Sequence, residues 1–227
     1  MKYASKALLV LVILSAFLIG CSQQGYLTVD NKTGDVIFVE VDGDDEEIDG
    51  GDDHEWEFEF PGFLLNLIQQ ESENVDVSWE GLFVFPDATE VEIEADDDIT
   101  IDVNPTAGAI VIDNNASSAS IIEVQFRLNN GAWSGNLISG SIGPGQWAIW
   151  RVEPGTYNIY VLDDYGYWPG DDPYPTQSVA PNQMRVFEWN SSEDYWYFNQ
   201  IPGPMATPGA PPSLIPAEPT FQIDRVE

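Results

Sequence analysis

The chain has 227 residues, 12% of them aromatic, and sets 39 acidic side chains against seven basic ones for a formal net charge of −32. A surface of that sign repels nucleic acid and anionic head groups and draws cations, which excludes nucleic acid as a partner. One cysteine excludes an internal disulfide, and the aromatic content is enough to build a core without one.

At the N-terminus, Lys2 and Lys6 precede an apolar block, Ala7 to Ile19, and the small residue Gly20 closes it. A positive start, an apolar middle and a small-residue break describe a secretory signal over residues 1–20. The block falls short of the roughly 20 apolar residues that span a hydrocarbon core. A thiol leaving the cell would be an orphan in an oxidising compartment. The run Leu18, Ile19, Gly20, Cys21 resembles the lipobox of bacterial lipoproteins. That resemblance implies a diacylglyceryl group on the Cys21 thiol, cleavage before Cys21 and acylation of the new N-terminus. Ser22 stands where Asp usually retains the family at the inner membrane, so the outer membrane or cell surface is favoured. Several acyl chains, at about 0.8 kcal/mol per buried methylene, hold a protein firmly on a bilayer. Residues 21–24 are then a lipidated N-terminus with a short linker.

Aligning Gly25 with Gly108 pairs GYLTVDNKTGDVIFVEV with GAIVIDNNASSASIIEV without a gap. Each copy reads as an apolar strand, a polar Asp-Asn turn and a second strand ending in Glu and Val. Asp and Asn suit such a turn because their side chains bond the local backbone and tolerate left-handed conformations. Two β domains are expected, an acidic one over residues 25–104 and a second over 105–200.

Within the first domain HEWEFEF alternates, Trp56, Phe58 and Phe60 against Glu55, Glu57 and Glu59. TEVEIE and DITIDV repeat the alternation, the period of half-buried strands with an apolar inside and an acidic outside. FLLNLIQQ, Phe63 to Gln70, fits a short helix or a buried strand equally. Between the first strands lies DGDDEEIDGGDD, read as an acidic hairpin tip. Asp42, Asp44, Asp45, Glu47, Asp52 and Asp53 are its candidate ligands for Ca²⁺, which takes six to eight hard oxygens. The EF-hand order fails for want of its glycine, and the composition alone is that of a solvated charge run on a loop. Asp96, Asp97 and Asp98 form a smaller second tip.

The second domain has a more neutral surface and turns such as NNGAW, GPGQW and EPGTY. From Ala109 to Asn190 it resembles a β-sandwich module recurrent in bacterial surface and periplasmic lipoproteins. The residues that carry the likeness are Asn114 and Asn115, Trp133 with Gly135, Ile142 with Pro144 and Gly145, and Pro154 through Asp163. It implies an all-β fold of two tandem β-sandwich-like domains, of immunoglobulin or transthyretin type. The loop YGYWPGDDPYPT sets Tyr165, Tyr167, Trp168 and Tyr174 beside Asp171 and Asp172. Aromatics that stack on sugar rings and carboxylates that take hydroxyl hydrogens could grip a polysaccharide, or the loop could simply cap the sandwich. Trp147 and Trp150 fall on opposite faces of their strand, so at least one belongs to the core. Residues 201–227 form a tail in which Pro202 to Thr220 holds seven prolines, followed by FQIDRVE, either an edge strand or a free end.

Catalytic groupings are sparse. His54 is the only histidine, no P-loop, dinucleotide fingerprint or zinc spacing occurs, and no carboxylate pair stands out among the 39. The expectation is a non-enzymatic binding or scaffold protein held to the membrane by its lipid. Three partners are open: Ca²⁺ in an adhesion or stability role, a polysaccharide, or an envelope protein that this chain serves as an accessory subunit.

Overall fold

The computed structural model describes residues 23–60, 72–166, 176–190, 195–202 and 221–226, with side chains described through residue 188. The chain falls into two compact units. The first comprises Met1–Lys32, Ile37–Glu80 and Pro86–Val103, and the second Thr33–Val36, Gly81–Phe85 and Asn104–Glu227. The fold is all-β, and the described residues form four sheets consistent with β-sandwich packing. Among the described residues no helix is long and apolar enough to cross a membrane. The segment Phe63 to Gln70 lies outside the described residues.

Seven strands belong to the first half of the chain: β1 (Gln23–Asn31), β2 (Ile37–Val41), β3 (Asp44–Ile48), β4 (Asp53–Phe60), β5 (Ser72–Gly81), β6 (Val84–Glu94) and β7 (Asp98–Val103). One sheet has the order β4-β1-β7, with β4 antiparallel and β7 parallel to β1, and the other has the order β3-β2-β5-β6. The alternations seen in the sequence are strands with their apolar face inward: Trp56, Phe60, Ile93 and Val103 are buried, and Glu55, Glu57 and Glu59 are exposed. Leu27 and Val29 of β1, Val39 and Val41 of β2 and Val75 and Val77 of β5 are buried with them.

The second half contributes β8 (Gly108–Asn114), β9 (Ile121–Leu128), β10 (Trp147–Val152), β11 (Gly155–Asp163), β12 (Thr176–Val179), β13 (Gln183–Asn190), β14 (Tyr195–Pro202) and β15 (Phe221–Val226). Its sheets have the orders β14-β13-β8-β10-β15 and β12-β11-β9. The C-terminal stretch is an edge strand, parallel to β10. Trp147 and Trp150 are both buried because β8 and β10 are covered on both faces. Trp150 packs edge-on to Phe126, centroids 5.3 Å apart, while Trp147 joins Val111, Ile149 and Phe83 on the opposite face. The Tyr157 hydroxyl donates to the Glu153 carbonyl at 2.8 Å, and burial, then the Glu153 carboxylate, push its pKa up to about 12. Buried Arg151 donates to the carbonyls of Gly81 and Val84 at 2.7 and 2.9 Å, fixing the strip that covers this face.

The two halves repeat one topology: β4-β1-β7 returns as β10-β8-β13, and β2-β5-β6 as β9-β11-β12. In both, the strand-turn-strand unit joins strands of different sheets, so the Asp-Asn segment is an arch and not a turn between paired strands. Alternation says which residues face inward but not which neighbour a strand bonds, so the pattern alone does not distinguish a turn from an arch. Asn31 and Asn114 end the first strand of each copy, fully buried. The Asn31 amide donates to the carbonyls of Ile48 and Asp49 at 2.9 and 3.1 Å, and the Asn114 amide to those of Ala119 and Ile142, both at 2.8 Å. The backbone follows suit, Asn31 N–H bonding Asp52 C=O while Gly51 N–H bonds Asn31 C=O, as Asn114 does with Gln146 and Gly145. Gly51 and Gly145 take φ of +86° and +71°, where a side chain would be strained. The aligned glycines Gly25 and Gly108 leave no room for a Cβ, which would meet the Glu94 and Ala180 carbonyl oxygens at 2.6 and 2.8 Å.

Asn114→Ala removes both amide donors and strands two carbonyls, so it should cost about 2–4 kcal/mol. Asn114→Asp, isosteric but acceptor-only when ionised, should lose as much. Denaturant unfolding followed by tryptophan fluorescence checks both, and an unchanged midpoint for either would refute the clamp.

Candidate functional site

The sequence placed candidate ligands in one acidic tip, and the structure distributes them over two turns and two strands. Asp42 and Gly43 form a two-residue turn with φ of 50° and 87°, the left-handed pair that Asp-Gly supplies in a type I′ hairpin. Asp44, Asp45 and Glu47 lie on β3, paired with β2 in the register Asp45 to Glu40 and Glu47 to Phe38. Ile48 faces Ile37 in the core and so fixes that register. Asp52 belongs to the following turn and Asp53 opens β4.

Two of these carboxylates already have structural duties. Asp42 Oδ1 accepts from the Asp76 N–H at 2.9 Å, and Asp44 Oδ2 accepts from the Trp56 indole N–H at 3.1 Å. Beside them His54 stacks edge-on to Trp56, centroids 4.5 Å apart, with Nδ1 3.7 Å from Glu46 Oε1. Among the described residues no three His, Cys, Asp or Glu side chains converge so as to hold a metal ion.

Of the candidate residues in the aromatic loop only Tyr165 is described: it is 65% exposed, and its N–H bonds Asp163 Oδ1 at 3.0 Å. Tyr167, Trp168, Asp171, Asp172 and Tyr174 lie outside the described residues, as does Cys21.

What the structure does assemble is a furrow on the outer face of the β3-β2-β5-β6 sheet, a feature the sequence did not announce. Strand alternation turns Val39 and Val41 inward and leaves Phe38 and Glu40 outside, Phe38 with 52% of its surface exposed. A hollow of about 550 Å³ is lined by Phe38, Trp79 and Pro86 together with Glu40, Asp45 and Glu47. An adjoining hollow of about 740 Å³ shares Glu40 and Ser78 with it and adds Asp42, Asp76 and Glu90. None of the described residues lining either hollow is basic. An aromatic ring ringed by carboxylates is chemistry for a cation, not for an anion.

The second notable electrostatic feature is a pair of equivalent carboxylate couples. In the first unit Asp30 lies opposite Asp102, and Lys32 bonds Asp30 and reaches Asp102 at 3.7 Å. The bond to Asp30 raises the Lys32 ammonium above its ordinary pKa. In the second unit the couple is Asp113 and Glu188, and Asn115 stands in place of the lysine, donating to Glu188 at 2.7 Å. Burial, and then the Glu188 charge, push Asp113 up to about 6.

No family model matches the chain. No curated protein matches it. Among solved structures it is similar to the Bacillus anthracis TIE protein, at 11% identity and a TM-score of 0.27 over 74% of this chain and 33% of that one. A structure titled "Trapped Toxin" is similar at 10% identity and a TM-score of 0.24 over 66% of this chain and 46% of that one. The chain thus spans less than half the length of either structure.

Unfolded Asp113 sheds its proton near 3.8 and folded Asp113 near 6, so between these values the folded state binds more proton. Stability therefore falls as pH rises through that window. Asp113→Asn should stabilise the protein by about 1–2 kcal/mol near neutral pH and leave it unchanged near pH 3. Asn115→Lys, which supplies the counter-charge of the first unit, should act in the same direction. Denaturation at the two pH values reads both effects, and an equal gain at each pH would exclude titration as the cause.

Proposed function

We propose that the chain is a lipid-anchored cell-envelope protein, built of two tandem β-sandwich units of immunoglobulin-like type, that serves as a non-enzymatic binding module. The observation that carries the binding role is the furrow, where an exposed aromatic side chain lies among carboxylates on an otherwise regular sheet face. Isolated exposed apolar residues are ordinary, but Phe38 shares its hollow with exposed Pro86 and a ring of carboxylates. The sandwich type is supported by the Tyr157 hydroxyl bonded to the backbone four residues upstream, the arrangement of a tyrosine corner. The anchor rests on the Leu18 to Cys21 run. Only Ser22 separates Cys21 from Gln23, the first residue of β1, so an acylated Cys21 leaves the first unit close to the lipid surface.

Cys21→Ser tests the anchor. The parent protein should fractionate with membranes and carry acyl mass at its N-terminal residue, while the variant should lose the acyl mass and leave the membrane fraction. A parent with a free thiol, or equal partition of the two proteins, would overturn the anchor.

A further inference from the structure

We infer that the furrow on the outer face of the β3-β2-β5-β6 sheet docks a lysine- or arginine-rich protein segment, with a cationic side chain seated over the Phe38 ring. The inference names a partner class for the binding role proposed above and rests on that role. It does not rest on the lipid anchor.

Charge complementarity singles out this occupant. Glu40, Asp45, Glu47, Asp76, Asp87 and Glu90 line the two hollows, and the described residues there supply no cation. An acidic or neutral partner would bury these carboxylates uncompensated, at a cost that only paired charges avoid. A cationic head group over an aromatic face gains from the ring quadrupole, and more so as water is excluded. Phe38 and Glu40 lie two positions apart on one strand face, a spacing of about 7 Å, which is also the repeat of alternate side chains on an extended segment. Phe38 is directly opposite Glu47, and Glu40 directly opposite Asp45, so the ring has a carboxylate beside it on the next strand and another along its own. Pro86, exposed at the rim of the same hollow, extends the apolar surface for the methylene stems of such side chains. A monovalent inorganic ion would use the carboxylates and leave Phe38 without a role.

The test uses the full chain in a neutral detergent and a fluorescent peptide of alternating arginine and serine, read by anisotropy at about 0.15 M NaCl, where exposed charges more than about 8 Å apart are largely screened. Phe38→Ala keeps every charge and should weaken binding about fivefold or more. Glu40→Gln with Glu47→Gln should weaken it at least as much, while Glu55→Gln with Glu59→Gln, the same charge change on β4, should leave it within about twofold. Phe38 and these glutamates are exposed, and circular dichroism confirms that each variant is folded. Equal weakening by the two glutamate pairs would mean that total charge alone attracts the peptide, and would overturn the inference. So would an unaffected Phe38→Ala, complete competition by stoichiometric Ca²⁺, or no binding by the parent. A soluble parent that still binds the peptide would defeat the anchor and leave this inference standing.

Discussion

A buried asparagine amide at the end of the first strand of each unit is the interaction on which the rest of the structure depends. An arch between sheets must turn its chain inside the protein, where backbone carbonyls cannot reach water and need donors. Asn31 supplies two, both to carbonyls of the turn that leads into β4 of its own sheet, and Asn114 supplies two, one to Ala119 of the arch itself and one to Ile142 on the way into β10. One side chain thus ties the end of β1 or β8 to the entry of β4 or β10, and in the second unit it also holds the arch that follows β8. The glycines at Gly51 and Gly145 complete the device with a conformation that residues bearing a Cβ adopt only under strain. A carboxylate of the same shape would repel those carbonyls, which is why the residue must be an amide.

On this shared frame the units differ where the frame does not constrain them. After β2 an Asp-Gly turn leads into the regular strand β3, whereas after β9 Asn129 and Asn130 take φ of 49° and 59° and lead into an irregular segment. Along that segment Ser134 Oγ and Asn136 Oδ1 accept the N–H groups of Phe126 and Val124, replacing part of a strand ladder with side-chain bonds. The regular version exposes a flat row of carboxylates beside Phe38. The irregular version closes over its own sheet, with Trp133 under the Arg127 guanidinium at 4.8 Å and near Tyr160. The furrow therefore follows from a local choice of edge structure.

Much of the fold was legible in the sequence because half-buried strands advertise themselves by period. HEWEFEF, TEVEIE and DITIDV all lie in strands whose apolar residues turn inward. The aligned glycines and asparagines also marked the repeat, since each is held by contacts that recur in both units. The partner of each strand was not legible. GYLTVDNKTGDVIFVEV has the same pattern whether its strands pair with each other or with other strands, and only long-range contacts decide. The acidic stretch misled for a related reason. Five carboxylates in DDEEID outweigh the single Ile48 in any compositional reading, yet Ile48 is the residue that sets the strand by pairing with Ile37.

The two carboxylate couples show how the frame tolerates charge. Parallel pairing of the first strand with β7 or β13 places Asp30 beside Asp102 and Asp113 beside Glu188, a juxtaposition that costs energy unless a cation or a proton relieves it. In the first unit a cation does so: Lys32 is the sole lysine after residue 20, and it stands at the couple rather than on the furrow. In the second unit asparagine replaces it, and the relief is a proton held near Asp113 up to a pH of about 6. With so few cations in the chain, one is spent where two carboxylates are fixed by strand register and cannot move apart. The furrow carboxylates lie on the solvated face of a sheet, where hydration screens their mutual repulsion. Among the described residues lining the furrow none supplies a counter-ion, and the negative potential remains directed at whatever approaches from outside.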